Sequence, residues 1–165
     1  ALNRTVAPTA FALSRQKVAL IDRKKFADAK GLHKGAYTLA EAETKAGKAA
    51  TPTLILIATG SEVGLAMQAR EQLNAAGTPT RVVSMPCWEF FDEQPQKYRD
   101  EVLPPKVSAR LAIEAGVSLG WHKYTGDKGA TLCVDKFGTS APAEDVFRDY
   151  GFTVENVLSI AKKLM

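Results

Sequence analysis

Cysteine, histidine and long apolar runs are all scarce in this sequence, and each scarcity removes a class of protein. Cys87 and Cys133 are the only cysteines. Two thiols cannot make a disulfide framework, and these do not stand at metal-ligand spacing. Both are expected to be reduced and inside the fold, as in a cytoplasmic protein. His33 and His122 are the only histidines. No Ser/Asp or Cys arrangement stands beside either, so neither a nucleophilic triad nor a metal set can be read. No apolar run approaches the roughly 20 residues of a membrane helix. What is present is a chain of 165 residues, 45% hydrophobic. That is too apolar for disorder and enough for one domain, or one domain plus an arm.

The formal net charge of +4 invites a polyanion partner, but its distribution argues otherwise. Residues 1–50 hold ten Lys/Arg against four acids, whereas the remaining 115 residues hold twelve against fourteen. The basic excess thus belongs to the first third alone. That third has only Phe11, Phe26 and Tyr37 as aromatics, without the aromatic interleaving of a single-strand binder. No nucleic-acid partner is expected.

The chain starts Ala1-Leu2-Asn3, without an initiator Met or a signal-peptide core. It runs at once into Pro8-Thr9-Ala10-Phe11-Ala12-Leu13, which reads as a short strand with no partner nearby. Such a strand is expected to belong to a sheet lying upstream, making the chain a carboxy-terminal piece. Residues 14–50 are polar and weakly periodic, a surface linker in which Ala36–Leu39 could form a strand. From Pro52 onward the pattern sharpens. Strands are expected at 53–59, 80–85, 108–114 and 130–134, the first a β-branched run of the kind covered on both faces. Ser61 is a plausible N-cap for a helix with its stripe on Val63, Ala66, Met67, Leu73 and Ala76, stopped by Gly77. Residues 90–103 form an irregular or helical crossover. Two helices close the chain, one opening at Pro142 and one capped by Thr153, whose stripe is Val154, Val157, Leu158, Ala161 and Leu164. Alternating apolar strands and amphipathic helices imply an α/β fold: three α/β/α layers around a mainly parallel sheet of about five strands, preceded by the arm.

Four places could carry chemistry. Thr59-Gly60-Ser61 joins a strand to a helix, where phosphates bind. It lacks the glycines and lysine of a P-loop, and Glu62 would repel an anion; structural capping is the expected role. His122 lies between aromatics and reads as a surface histidine. Lys136–Pro142 could take an anion at a helix start, or could be a turn with a cap. Arg15, in Leu13-Ser14-Arg15-Gln16, lies just past the expected first strand. A guanidinium beyond a strand end suits bidentate capture of a phosphate or carboxylate, though from spacing alone a solvated arginine is the favoured reading.

These segments also carry a family resemblance. Pro8-Thr9-Ala10 with Leu13-Ser14-Arg15-Gln16, Ile57–Val63, Arg81–Pro86, Glu114-Ala115-Gly116, Gly120-Trp121, Phe137-Gly138 with Ser140–Ala143, and Tyr150–Thr153 resemble, in order, the last quarter of bacterial-type transketolases. The resemblance implies two parts: residues 1–50 as the end of the pyrimidine-binding middle domain plus linker, and residues 51–165 as the C-terminal domain. It implies transfer of a two-carbon ketol unit from a ketose phosphate to an aldose phosphate in a homodimer. The family uses thiamine diphosphate and a divalent metal, Mg or Ca, to stabilise the transferred carbanion. Its cofactor, metal and catalytic residues lie upstream, so none is assigned here and this piece alone is expected to bind neither group and to be inactive. One position carries over: Arg15, which the resemblance makes the sugar-phosphate anchor. The C-terminal domain is expected to pack against upstream domains of the same chain.

Two other readings compete. One is the terminal domain of another thiamine diphosphate enzyme, such as deoxyxylulose-phosphate synthase or a 2-oxoacid dehydrogenase β chain; the residues around Arg15 and Trp121 speak against it. The other is a non-catalytic binding or regulatory α/β domain. A Gly-Asp-Gly metal motif and a catalytic Glu upstream of this segment would separate them from the transketolase reading.

Overall fold

A computed structural model describes residues 4–165; the opening Ala1-Leu2-Asn3 lies outside the described residues. Five strands make one sheet: β1 (Tyr37–Ala40), β2 (Leu54–Ala58), β3 (Thr80–Ser84), β4 (Arg110–Ile113) and β5 (Ala130–Leu132), in the order β1-β3-β2-β4-β5. Strands β2 to β5 are parallel, and β1 pairs antiparallel with β3 at one edge. The expected α/β fold with a mainly parallel, five-stranded sheet is therefore present. The short strand allowed within the linker is β1.

Strand alternation divides the apolar side chains between two cores. Leu54, Leu56 and Ala58 of β2 face one side with Val82, Leu111 and Ile113. Helices α1 (Val63–Ala75) and α6 (Val154–Leu164) cover that side, through Ala66, Met67, Leu73, Val157 and Ala161. Ile55, Ile57, Val83 and Ala112 face the other side, under Phe91, Val102, Trp121 and Tyr124. Those residues come from α2 (Trp88–Asp92), α3 (Gln96–Val102) and the turn into α4 (His122–Thr125). Every residue of β2 is buried, as a continuous apolar run between two helical layers requires.

Helix ends follow the local chemistry. Thr153 caps α6 by accepting from the Asn156 N–H at 3.2 Å. At the end of α1, Gly77 sits at φ 93°. Its N–H donates to Asn74 O at 3.0 Å while Thr78 N–H donates to Leu73 O at 2.8 Å, a Schellman closure that favours glycine. Gly35 is constrained by space as well as by its φ of 78°: a Cβ there would lie 2.2 Å from the Phe91 nitrogen. The crossover after β3 resolves into α2 and α3, separated at Pro95, which has no N–H to continue a helix. Pro142 precedes α5 (Ala143–Asp149).

Three expectations are corrected. Residues 8–13 form no strand; Phe11 and Leu13 are 70% and 84% exposed. A strand needs a ladder partner, and this segment pairs with none of the five described strands. Ser61 is not an N-cap: the chain enters α1 through a 3-10 turn, Gly60–Glu62, with Thr59 in the cap position. Ala76 is exposed as the C-cap of α1, and the buried stripe instead includes Arg70 and Asn74. Arg70 is only 2% exposed because its guanidinium is consumed by the Glu41 carbonyl and the Glu43 carboxylate.

Candidate functional site

In a doubly wound sheet the ligand crevice opens where successive connections leave a strand in opposite directions. Here the chain leaves β2 toward β3 on one side, then crosses to β4 on the other. The switch point lies beyond the carboxyl ends of β2 and β4, where Ser61, Glu62, Glu114 and Ala115 meet.

The chain fills this crevice with its own side chains. Glu62 is 4% exposed. Its Oε1 accepts from the Ser61 hydroxyl, and its Oε2 accepts from the Ala115 N–H at 2.9 Å, tying the end of β2 to the end of β4. One residue earlier, Glu114 Oε2 accepts from Trp121 Nε1 at 2.7 Å. Trp121 is fully buried and stacks edge-to-face on Trp88 at 5.0 Å between ring centres, joining the loops that follow β3 and β4. Cys133 follows β5. Burial, reinforced by the charges of Glu114, Asp135 and Glu62, pushes its thiol up to about 11, so it is protonated and unreactive at neutral pH. Cys87 lies past β3 with its thiol also raised, mainly by burial.

The arrangement has a plain chemical consequence. Both carboxylates are engaged as hydrogen-bond acceptors, and together they repel a phosphate from the place where such sheets usually take one. Thr59-Gly60-Ser61 therefore acts as a structural joint. The thiamine diphosphate and divalent metal implied by the resemblance do not fit here either. Among the described residues no group of three or more His, Cys, Asp or Glu is placed to hold a metal ion, and the crevice presents negative charge.

The other candidate residues lie apart. His122 is exposed at the start of α4. The Lys136–Pro142 loop is exposed and anchored by the Tyr150 hydroxyl, which donates to Phe137 O at 2.9 Å. The sequence therefore brings neither residue into a common site with Arg15.

Arg15 is exposed, and among the described residues it has no hydrogen-bond or ion-pair partner. The next residues, Gln16–Ala19, lie against the start of α1 and against α5. They line a groove of about 420 Å³ with Ser61, Leu65 and Phe147. Arg15 itself is not among the residues that line this groove. Sequence patterning missed a second group, Arg99 and Arg110 with Lys123, which line a cleft at the opposite end of the sheet.

Comparison with known proteins places this fold. The family described as transketolase-like TK C-terminal domain matches residues 35–153. The chain belongs to the transketolase C-terminal domain family. The transketolase of Aquifex aeolicus is 50% identical over 157 residues, which is 95% of this chain and 22% of that protein. That of Geobacillus stearothermophilus is 48% identical over the whole chain and 24% of its own length. The chain thus spans under a quarter of the curated transketolases it matches, corresponding to their C-terminal part. Among solved structures, transketolase from Leishmania mexicana superposes with a TM-score of 0.69 at 38% identity, covering 82% of this chain and 19% of that one. A mutant transketolase from Pichia stipitis reaches 0.76 at 31% identity, covering 91% and 20%. Another from that organism, solved in complex with sedoheptulose-7-phosphate, superposes at 0.72 with 32% identity over 85% and 19%. The family match starts just before β1, so Arg15 lies outside it; the alignment to the Geobacillus transketolase includes the whole arm.

Proposed function

We propose that this chain is the C-terminal portion of a transketolase and that Arg15 anchors the phosphate of its sugar substrates. The complete protein transfers a two-carbon ketol unit from a ketose phosphate to an aldose phosphate. It does so as a cytoplasmic homodimer, with thiamine diphosphate and a divalent metal, Mg or Ca, held by domains outside this chain. Residues 1–50 are then the end of the pyrimidine-binding domain and its linker, the linker already giving Tyr37–Ala40 to the sheet of the C-terminal domain. The exposed apolar side chains of the arm, Phe11 and Leu13, are suited to the sheet of that preceding domain.

The observation that carries the proposal is about half identity to transketolases across the arm and the domain together. The state of Arg15 supports its role. Its guanidinium is uncommitted, and the adjoining Gln16–Ala19 line a groove beside α1 and α5. A phosphate held this way supplies binding energy and orientation remote from the reacting carbons. The closed crevice of Glu62 and Glu114 gives the domain a supporting part rather than a reacting one.

A ketol-transfer assay with thiamine diphosphate and magnesium tests the division of labour. The complete protein is expected to turn over ketose and aldose phosphates, and residues 1–165 alone are expected to give no turnover. Activity of the 165-residue chain near that of the complete protein would refute it.

A further inference from the structure

We propose that the face at the carboxyl ends of the parallel strands, where Val117, Leu119 and Phe137 meet solvent, is the docking face for the domain that precedes this chain in the complete polypeptide. The inference rests on the transketolase reading above and adds to it the surface by which the C-terminal domain is held.

Single exposed apolar side chains are ordinary, but a set gathered on one side marks an interface. Here they are gathered. Val117 and Leu119 follow β4 and are 57% and 79% exposed, while Phe137 follows β5 and is 99% exposed. Leu32, also exposed, precedes β1, whose first residue Tyr37 lies opposite Ser84 at the end of β3; it therefore belongs to the same end of the sheet. The other large apolar residues exposed among the described residues are those of the arm, between 6 and 20, and the terminal Met165. The loops at the amino ends of the strands contribute none. The loops after β4 and β5 are also built as one surface. Val134 N–H donates to Gly116 O at 2.7 Å, and Ser118 N–H donates to the Asp135 carboxylate at 2.8 Å. The Tyr150 hydroxyl donates to Phe137 O at 2.9 Å and lies 3.1 Å from Thr139 Oγ1, with Lys136 Nζ 4.3 Å from the Tyr150 ring centre. The backbone at Phe137 is thus fixed while its ring serves no part of the domain's own core.

The path of the arm decides the occupant. The chain matches 24% of the Geobacillus transketolase, its C-terminal part, so most of such a polypeptide lies ahead of it. The arm that leads there touches the domain at two places, both at this end of the sheet. The Arg4 guanidinium lies over the Phe90 ring, 4.9 Å from its centre, on the helix that follows β3. At the other end of the arm, a Cβ on Gly64 in the first turn of α1 would lie 3.5 Å from Ala19 Cβ. A domain joined through this arm therefore begins beside the two loops, and its surface is placed to cover their apolar side chains.

Photo-cross-linking in the complete protein reads the occupant directly. Phe137→p-benzoylphenylalanine, and separately Leu119→p-benzoylphenylalanine, place the probe at exposed positions that the domain's own core does not use. After irradiation and digestion, mass spectrometry is expected to find cross-links from both positions to peptides upstream of Ala1. The same probe at Lys128, exposed in the loop before β5 at the opposite end of the sheet, is expected to give none. Cross-links from Phe137 and Leu119 to residues 1–165 of a second copy overturn the proposal and assign the face to self-association. No cross-link from either position overturns it as well, as do equal upstream yields from Lys128. Ketol transfer by the unmodified complete protein keeps the two readings apart. Transfer without the upstream cross-links refutes the docking face alone, whereas absence of transfer refutes the transketolase reading on which it rests.

Discussion

Removing the Glu62 carboxylate is expected to separate the ends of β2 and β4. In Glu62→Ala the Ala115 N–H loses its acceptor at 2.9 Å and the Ser61 hydroxyl loses its own. Hydrogen bonds to a charged group are worth roughly 1.5–3 kcal/mol each, and an abandoned buried donor costs more than a shared loss. A further ~0.5 kcal/mol goes with a negative charge at the start of α1. Because Glu62 is only 4% exposed, water gives little relief. The Ser61 hydroxyl is half-buried and can turn to water, so the Ala115 bond and the charge carry the loss: about 2–3.5 kcal/mol, or about 6–10 °C in Tm at roughly 3 °C per kcal/mol for a chain of this size. Glu62→Gln keeps an oxygen for Ala115 and an amide for Ser61, and should cost about 1 kcal/mol or less. Urea and thermal unfolding followed by circular dichroism measure both. Equal losses for the Ala and Gln variants, or a loss below about 0.5 kcal/mol for Ala, would refute the tie between the two strands.

Trp121→Phe removes the 2.7 Å bond to Glu114 and leaves a void between β4 and Trp88; a loss of about 2–4 kcal/mol is expected in urea unfolding. An effect under 1 kcal/mol contradicts that packing. Iodoacetamide at pH 8 should modify Cys87 well before Cys133, whose thiol titrates at about 11; mass spectrometry of the peptides reads the order, and faster modification of Cys133 defeats it. The same shift has a signed consequence for stability. Above pH 9, near the ordinary thiol value of 9.0, the unfolded chain gives up a proton that the folded chain keeps. Stability therefore falls as pH rises from about 9 to about 11, and Cys133→Ala should flatten that slope. A slope unchanged in the variant contradicts it.

The strands and their order along the chain were legible because Leu54–Ala58, Thr80–Ser84 and Arg110–Ile113 are short apolar runs bounded by Gly, Pro or polar residues. The final helix was legible for the same reason, its stripe and its Thr153 cap obeying local chemistry. What patterning could not show depends on distant partners. The segment 8–13 has strand composition, and the sequence already placed its partners outside this chain; among the described strands it finds no ladder to join. Arg70, Arg81 and Arg110 are each drawn inward by main-chain carbonyls contributed by other segments, which local pattern does not show. Glu62 was recognised as hostile to a phosphate, but its bond to Ala115, across 53 residues of sequence, belongs to the fold alone. Arg15 stood out in the sequence because a guanidinium beside a strand-like run invites an anion; the structure shows it exposed, and its phosphate role is the proposal tested below.

The decisive measurement is made in the complete enzyme, comparing phosphorylated and unphosphorylated forms of one sugar for wild type and Arg15→Ala. Loss of charge-assisted bonds to a phosphate is expected to raise KM for the phosphorylated sugar about 10- to 100-fold, with little change for the unphosphorylated one. Equal effects on both sugars, or none on either, contradict a phosphate anchor at Arg15.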